Sequence, residues 1–311
     1  MWVIFPILAA VALSVSAFLQ NYLTDVALPK KRAGAYVVTQ LLSYGVSMLV
    51  LFAVFGRGVF ILPFPVALGL LMAGAINVLG TILYFKALRS GETVEVTIFG
   101  ESAPLIALAL GVMFLGETVT EMQGLAFVLI MGAALILIFA TKNKRSGKLN
   151  LRTAGLAFAS AFFWVLSDIV FVKFAGDNVR NFQNFGQTFF YFQMGAFLIT
   201  AILAMCLPSW QQAIKQAFFK KGKAKNLVIA FLDNGFFTAA EFLFKFGLLA
   251  APAVALMSVV SHVSQLGITF VLGMFLSRFM PMFGREKYNK KLILQHLAAA
   301  LLVVTGIILI G

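Results

Sequence analysis

Four carboxylates stand deep inside stretches that are otherwise apolar: Glu101, Asp168, Asp233 and Glu241. A charged residue near the centre of a bilayer costs at least about 2.5 to 3.5 kcal/mol, so four of them point to use as proton or substrate ligands. Glu101 lies about nine residues into its stretch, roughly 13 Å from the boundary at a helical rise of about 1.5 Å per residue, near a midplane. His262 reaches a similar depth in a later stretch, and its ring titrates close to neutral pH. Asp168 stands one helical turn after Trp164, so a carboxylate and an aromatic face meet there. With Tyr84 and Tyr191 that combination suits an organic cation. Glu241 precedes Lys245 by four residues, the favourable order for a pair that neutralises itself along one helix face. Asp233 lies two turns earlier on that helix, placed to line the same cavity or its mouth.

Polar residues recur beside these groups at the i, i+3, i+4, i+7 spacing of one helix face. The stripes are Gln40, Ser43, Tyr44, Ser47; Asn77, Thr81, Tyr84; Thr97, Glu101, Pro104; Trp164, Ser167, Asp168, Phe171; Gln187, Tyr191, Met194; and Ser258, Ser261, His262, Gln265, Thr269. Lipid offers no hydrogen-bond partner, so the stripes are expected to face inward, where isolated hydroxyls glue helices together. The candidate substrate or proton ligands are therefore Glu101, His262, Asp168, Trp164, Tyr84, Asn77, Tyr191, Gln265, Ser261, Glu241 and Asp233. Pro104, in the middle of its segment, removes a backbone hydrogen bond; with Gly100 it makes a candidate hinge.

These residues must be positioned by membrane helices. The chain is 61% hydrophobic and 11% charged, with mean hydropathy +0.99, against about 25% charged for a soluble domain. Ten stretches are long enough to cross a hydrocarbon core, which takes about 20 residues: about 2–20, 34–55, 64–88, 93–116, 122–140, 153–174, 186–206, 227–249, 252–277 and 292–310. They are twice the length of barrel strands and uniformly apolar, which excludes a β-barrel. The net charge of +13 invites a nucleic-acid reading, but the positions of the charges orient the chain instead. All 24 Lys and Arg except Arg57, Arg180, Lys86, Lys173 and Lys245 follow odd-numbered segments. By the positive-inside rule those loops are cytoplasmic and both termini external.

One phrase occurs twice. Gly100-Glu101-Ser102-Ala103-Pro104 through Met113-Phe114-Leu115-Gly116-Glu117 returns as Ser261-His262-Val263-Ser264-Gln265 through Met274-Phe275-Leu276-Ser277-Arg278. Ser16-Ala17-Phe18 returns as Ser160-Ala161-Phe162, Phe85-Lys86 as Phe244-Lys245, and Gly132 as Gly306. The division is 1–140, a basic linker at 141–152, and 153–311. Units of five helices enter the bilayer from opposite faces, so the expected architecture is all-α, ten transmembrane helices in two inverted five-helix repeats. Thr120 three residues before Gln123 reads as a capping box opening the fifth helix, and Glu117 as part of the turn before it.

Tyr84-Phe85-Lys86-Ala87-Leu88, the Pro104 helix, Phe114-Leu115-Gly116-Glu117, Thr120, Gln123-Gly124 and Gly132 together resemble the EamA repeat of the drug/metabolite transporter superfamily. The resemblance spans the chain and is sharp in its first half; in the second, Gln265, Ser277 and Arg278 replace Pro104, Gly116 and Glu117. It implies ten helices, two five-helix repeats and export or uptake of small metabolites. Many members are described with cytoplasmic termini, whereas the charges of this chain point the other way.

No phosphate-binding Gly loop and no Cys or His pair at metal spacing occur, so no cofactor, no metal and no enzymatic activity are expected. The expected function is secondary active transport of a small polar metabolite, cationic or zwitterionic, such as an amine or amino acid, with protons as a candidate coupling ion. The alternative is a lipid flippase. The expected partners are substrate, protons and membrane lipids, not nucleic acid; a monomer and a homodimer both fit. The expected location is a prokaryotic inner membrane.

Overall fold

The computed structural model describes residues 2–22, 33–90, 96, 102–142, 151–176, 179, 181–208, 211, 224–279 and 290–310. Among them the chain is all-helical. The helices are α1 Ile4–Tyr22, α2 Ala33–Phe55, α3 Phe64–Ser90, α4 Ala103–Leu110, α5 Glu121–Lys142, α6 Leu151–Ala175, α7 Phe182–Cys206, α8 Ala224–Ala250, α9 Val254–Phe279 and α10 Lys290–Ile310. Among the described residues five spans are long and apolar enough to cross a membrane: Ser43–Phe60, Phe64–Ala87, Leu151–Ala175, Phe182–Cys206 and Val254–Leu276. Leu49, Leu301 and Ile308 are 69%, 69% and 71% exposed, a surface that only lipid tolerates in this number of large apolar residues. This is an integral membrane protein.

Nine helices fall within a few residues of the expected segments; α4 does not. It opens at Ala103 with Ser102 as its N-cap, and Pro104 lies in its first turn. A proline there breaks no helical hydrogen bond, since the first amides of a helix lack intrahelical partners. Pro104 thus lies in the first turn of α4; Gly100, the other half of the expected hinge, lies outside the described residues. After Leu110 the helix widens into a single π turn, Gly111–Leu115, and ends at Gly116. Gly116 has φ 66°, a left-handed conformation that glycine alone adopts without strain. That turn folds Glu117 back so that its Oε1 accepts the backbone N–H of Val254 at 2.8 Å, the first residue of α9. A carboxylate there satisfies an otherwise orphaned donor and complements the helix dipole. Burial pushes the Glu117 carboxyl above its ordinary pKa, and the Val254 amide opposes that shift. The capping box forms as expected: Thr120 N donates to Gln123 Oε1 at 3.1 Å, and Gln123 N to Thr120 Oγ1 at 3.3 Å.

The most extensive packings join α3 to α6, α1 to α8, α5 to α10, α3 to α7, α1 to α9 and α2 to α7. Ser16 and Ser160, the serines of the repeated Ser-Ala-Phe, bind alike. Ser160 Oγ donates to Gly80 O on α3 at 2.8 Å, and Ser16 Oγ donates to Asp233 Oδ1 on α8 at 2.5 Å. Helices α3 and α7 approach closely at two glycines, where a Cβ on Gly74 would overlap the Phe192 carbonyl and one on Gly195 the Leu71 carbonyl. Their apolar core joins Leu70, Ala73, Phe171, Phe185, Phe189 and Phe192; a second, on α4, α6 and α9, joins Ala107, Val165, Met257 and Val260.

Candidate functional site

Helix α8 carries Asp233, Glu241 and Lys245 within an otherwise apolar stretch. The last two lie one turn apart where α8 meets α3, α6 and α7. Lys245 does not pair with Glu241, which corrects the expectation of a self-neutralising pair. Its ammonium reaches across to α6 and donates to Asp168 Oδ1 at 2.5 Å, with the side chains 3% and 15% exposed. The same ammonium sits 4.5 Å from the ring centre of Phe192 and 5.1 Å from that of Phe171. Aromatic faces are the apolar surface that best receives a desolvated cation.

Glu241 is held by two amides: Asn77 Nδ2 of α3 donates to Oε1 at 2.6 Å, and Gln193 Nε2 of α7 donates to Oε2 at 3.2 Å. Each carboxylate oxygen thus has one neutral donor, with capacity to accept more. His262 of α9 lies within electrostatic reach of Asp168, and Asp168 within reach of Glu241. Tyr44, from the α2 stripe, is buried within reach of Glu241. Carboxylates, an ammonium and amides from four helices thus form one buried polar centre.

The other candidates separate from it to different degrees. Trp164 Nε1 donates to Thr81 Oγ1 at 3.2 Å, and its ring lies tilted against that of Tyr84 with centroids 5.3 Å apart, forming an aromatic wall one turn from Asp168. The cation beside Asp168 is the protein's own and rests on phenylalanines, not on the indole. Tyr191 packs into the apolar core against Phe190. Gln265 contributes its carbonyl, which accepts from Ser14 Oγ at 3.2 Å, while Thr269 Oγ1 and Ser14 Oγ are 3.0 Å apart; these tie α9 to α1. Ser261 is buried. Asp233 is fully buried on the α1 side of α8. Glu101 and Thr97 lie outside the described residues. Gln193 was invisible to stripe reading because α7 is buried on every face from Phe185 to Gln193. Its only signal is that an amide is costly at such a position without a polar partner.

Residues 1–139 match the EamA-like transporter family. That stretch is an EamA-like unit of the drug/metabolite transporter superfamily. The EamA-like match covers α1 to most of α5 and contains Asn77, whereas Asp168, Gln193, Glu241 and Lys245 lie beyond it. None of the curated proteins matches the chain. A solved structure described only as the crystal structure of a protein is similar to 99% of this chain over 95% of its own, with a TM-score of 0.64 and 15% identity. At that identity the likeness shows the fold alone.

Proposed function

We propose that this EamA-like protein is a secondary active transporter for a small metabolite bearing an amino group, cationic or zwitterionic. The observation that carries the reading is the buried centre of Asp168, Lys245, Glu241, Asn77 and Gln193, assembled from both halves of the chain. Full ionisation leaves the centre one negative charge in excess, which suits a substrate ammonium at Glu241. For a zwitterion, Lys245 receives the carboxylate, since its ammonium has donors beyond the one given to Asp168.

The reading includes ten crossings in two inverted repeats. It is supported by the packing, in which each of the six most extensive pairings has a counterpart or maps onto itself when helix n is exchanged with helix n+5: α3 on α6 with α1 on α8, α3 on α7 with α8 on α2, and α1 on α9 with α6 on α4. Such a scaffold rocks about a fixed central site, exposing it to either side. The basic loops face the cytoplasm of a prokaryotic cell, and both termini lie outside.

Proteoliposome counterflow of labelled amines and amino acids tests this, with Glu241→Gln alongside the wild type. Saturable exchange in the wild type and its loss in the variant are expected. Exchange that survives Glu241→Gln removes the site assignment, and lipid scrambling as the sole activity favours a flippase.

A further inference from the structure

Three buried side-chain polar atoms without a hydrogen bond among the described residues lie along one seam, Gln40 Oε1 on α2, Asn234 Oδ1 on α8 and Gln193 Oε1 on α7, and Tyr44 OH on α2 beside them has only the Asn77 side chain near enough to hydrogen-bond. Their side chains are at most 3% exposed. Buried acceptors are nearly always satisfied, and a cluster that protein groups leave unsatisfied is where ordered water resides. Between these atoms runs a chain of hydroxyls. Ser43 Oγ donates to Asn234 O at 3.1 Å and lies 2.8 Å from Thr238 Oγ1. Asn234, Thr238, Glu241 and Lys245 follow one another on a face of α8; Gln40, Ser43, Tyr44 and Ser47 do so on α2 and are all buried.

The seam has a carboxylate at each end. Glu241 stands at one, on Asn77 and Gln193. Asp233 precedes Asn234 on α8 and is turned to α1, where Ser16 Oγ donates to it and Gln20 Nε2 donates in turn to Ser16 Oγ at 3.1 Å. They lie nine residues from the two ends of α8 and about 12 Å apart along it, at a rise of about 1.5 Å per residue. A carboxylate near each half of one helix, joined by hydroxyls and unsatisfied acceptors, is the arrangement a proton needs to cross a low-dielectric interior.

We propose that the α2–α8 seam is a hydrated proton path that ends on the substrate centre, in which Asp233 loads the proton and Glu241, the carboxylate shared with that centre, receives it. At the Asp233 end hydronium gives a proton to the carboxylate, leaving water and a neutral acid. Hydroxyls of Ser43, Thr238 and Tyr44, with the waters between them, each accept one proton and pass one on, so no group changes its net protonation. Glu241 then carries the proton and releases it when a substrate ammonium arrives. Only this last use rests on the transporter reading; the site itself does not.

Charged groups on the elements around α8 are distributed unevenly. Helices α1, α2 and α7 carry none. Helix α3 brings Lys86 and Arg89, more than two turns beyond Asn77; α6 brings Arg152, Asp168 and Lys173; α9 brings His262 and Arg278. On α8 itself stand Lys225 and Lys245. Asp168, Lys245 and His262 gather at the Glu241 end.

The test uses the full chain in lipid and requires no substrate. Infrared difference spectra recorded across pH steps are expected to show protonated-carboxyl bands, one of which is lost in Asp233→Asn and displaced in Asp233→Glu. If both variants keep every wild-type band, the proton site is wrong. Radiolytic hydroxyl-radical footprinting reads the water. After correction for the higher intrinsic reactivity of tyrosine, Tyr44 is expected to be modified several-fold faster than Phe185, which is as buried in an apolar core; equal corrected rates mean a dry seam and overturn the proposal. Failure of amine and amino-acid counterflow, by contrast, would leave these bands and rates unchanged and count against the transport reading alone.

Discussion

At the level of single residues the charges of the centre are interdependent. Asp168→Asn strands the ammonium of Lys245 in a site that is almost wholly buried. Breaking a buried ion pair from one side costs roughly 3 to 5 kcal/mol, whereas replacing both partners together costs little. Asp168→Asn is therefore expected to lower thermal stability in detergent markedly, and Asp168→Asn with Lys245→Met to recover most of the loss. A double variant no more stable than the single one would show that the pair is not the interaction at stake. The sequence marked Asp168 and Glu241 correctly as expensive, because the cost of a carboxylate in lipid depends on residue type and surroundings alone. It could not assign their partners. Lys245 lies one turn from Glu241 and 77 residues from Asp168, so the local rule favoured the wrong carboxylate until the tertiary packing was known. Gln193 escaped for a related reason, since no face of α7 is exposed to set a pattern against.

Helix ends and helix crossings carry the next set of expectations. Glu117→Ala removes the acceptor that holds the first amide of α9, a loss of about 0.5 to 2 kcal/mol on the scale of N-cap deletions, while Glu117→Gln keeps an acceptor and most of the stability. The acid itself has a pH dependence of definite sign. Its folded pKa lies above its unfolded value of 4.5, so the folded state holds the proton more tightly. Its contribution is full below about the unfolded pKa and is lost as pH rises through the folded one. Melting temperatures measured upward from acid pH should decline less in Glu117→Gln than in the wild type, and identical slopes would contradict the assignment. At the α3–α7 crossing, Gly74→Leu and Gly195→Leu must each push two backbones apart, and loss of the monodisperse folded protein in size-exclusion chromatography is expected for both. At the same scale, apolar composition runs without a break from residue 93 to 116, whereas Ser102 and Pro104 mark the start of α4 at Ala103, a signal that hydropathy does not register.

Taken as a whole, the molecule poses a question of orientation. On the proposed architecture of ten crossings in two inverted halves, the positive-inside rule puts the basic loops after the odd-numbered helices in the cytoplasm. The chain offers a test that needs no substitution. Its one cysteine, Cys206, is exposed at the last residue of α7, immediately before a connection rich in lysine. A charged thiol reagent cannot cross the bilayer, so it should label Cys206 in inside-out vesicles and in detergent but leave it unmodified in intact spheroplasts. Cys206→Ser supplies the background, and the residue belongs to no part of the polar centre. Labelling from outside at the rate seen in detergent would reverse every side assigned here and bring both termini into the cytoplasm. The polar centre would survive that reversal, because Asp233 and Glu241 stand equally far from the two ends of α8. Only the side from which Asp233 loads its proton would change.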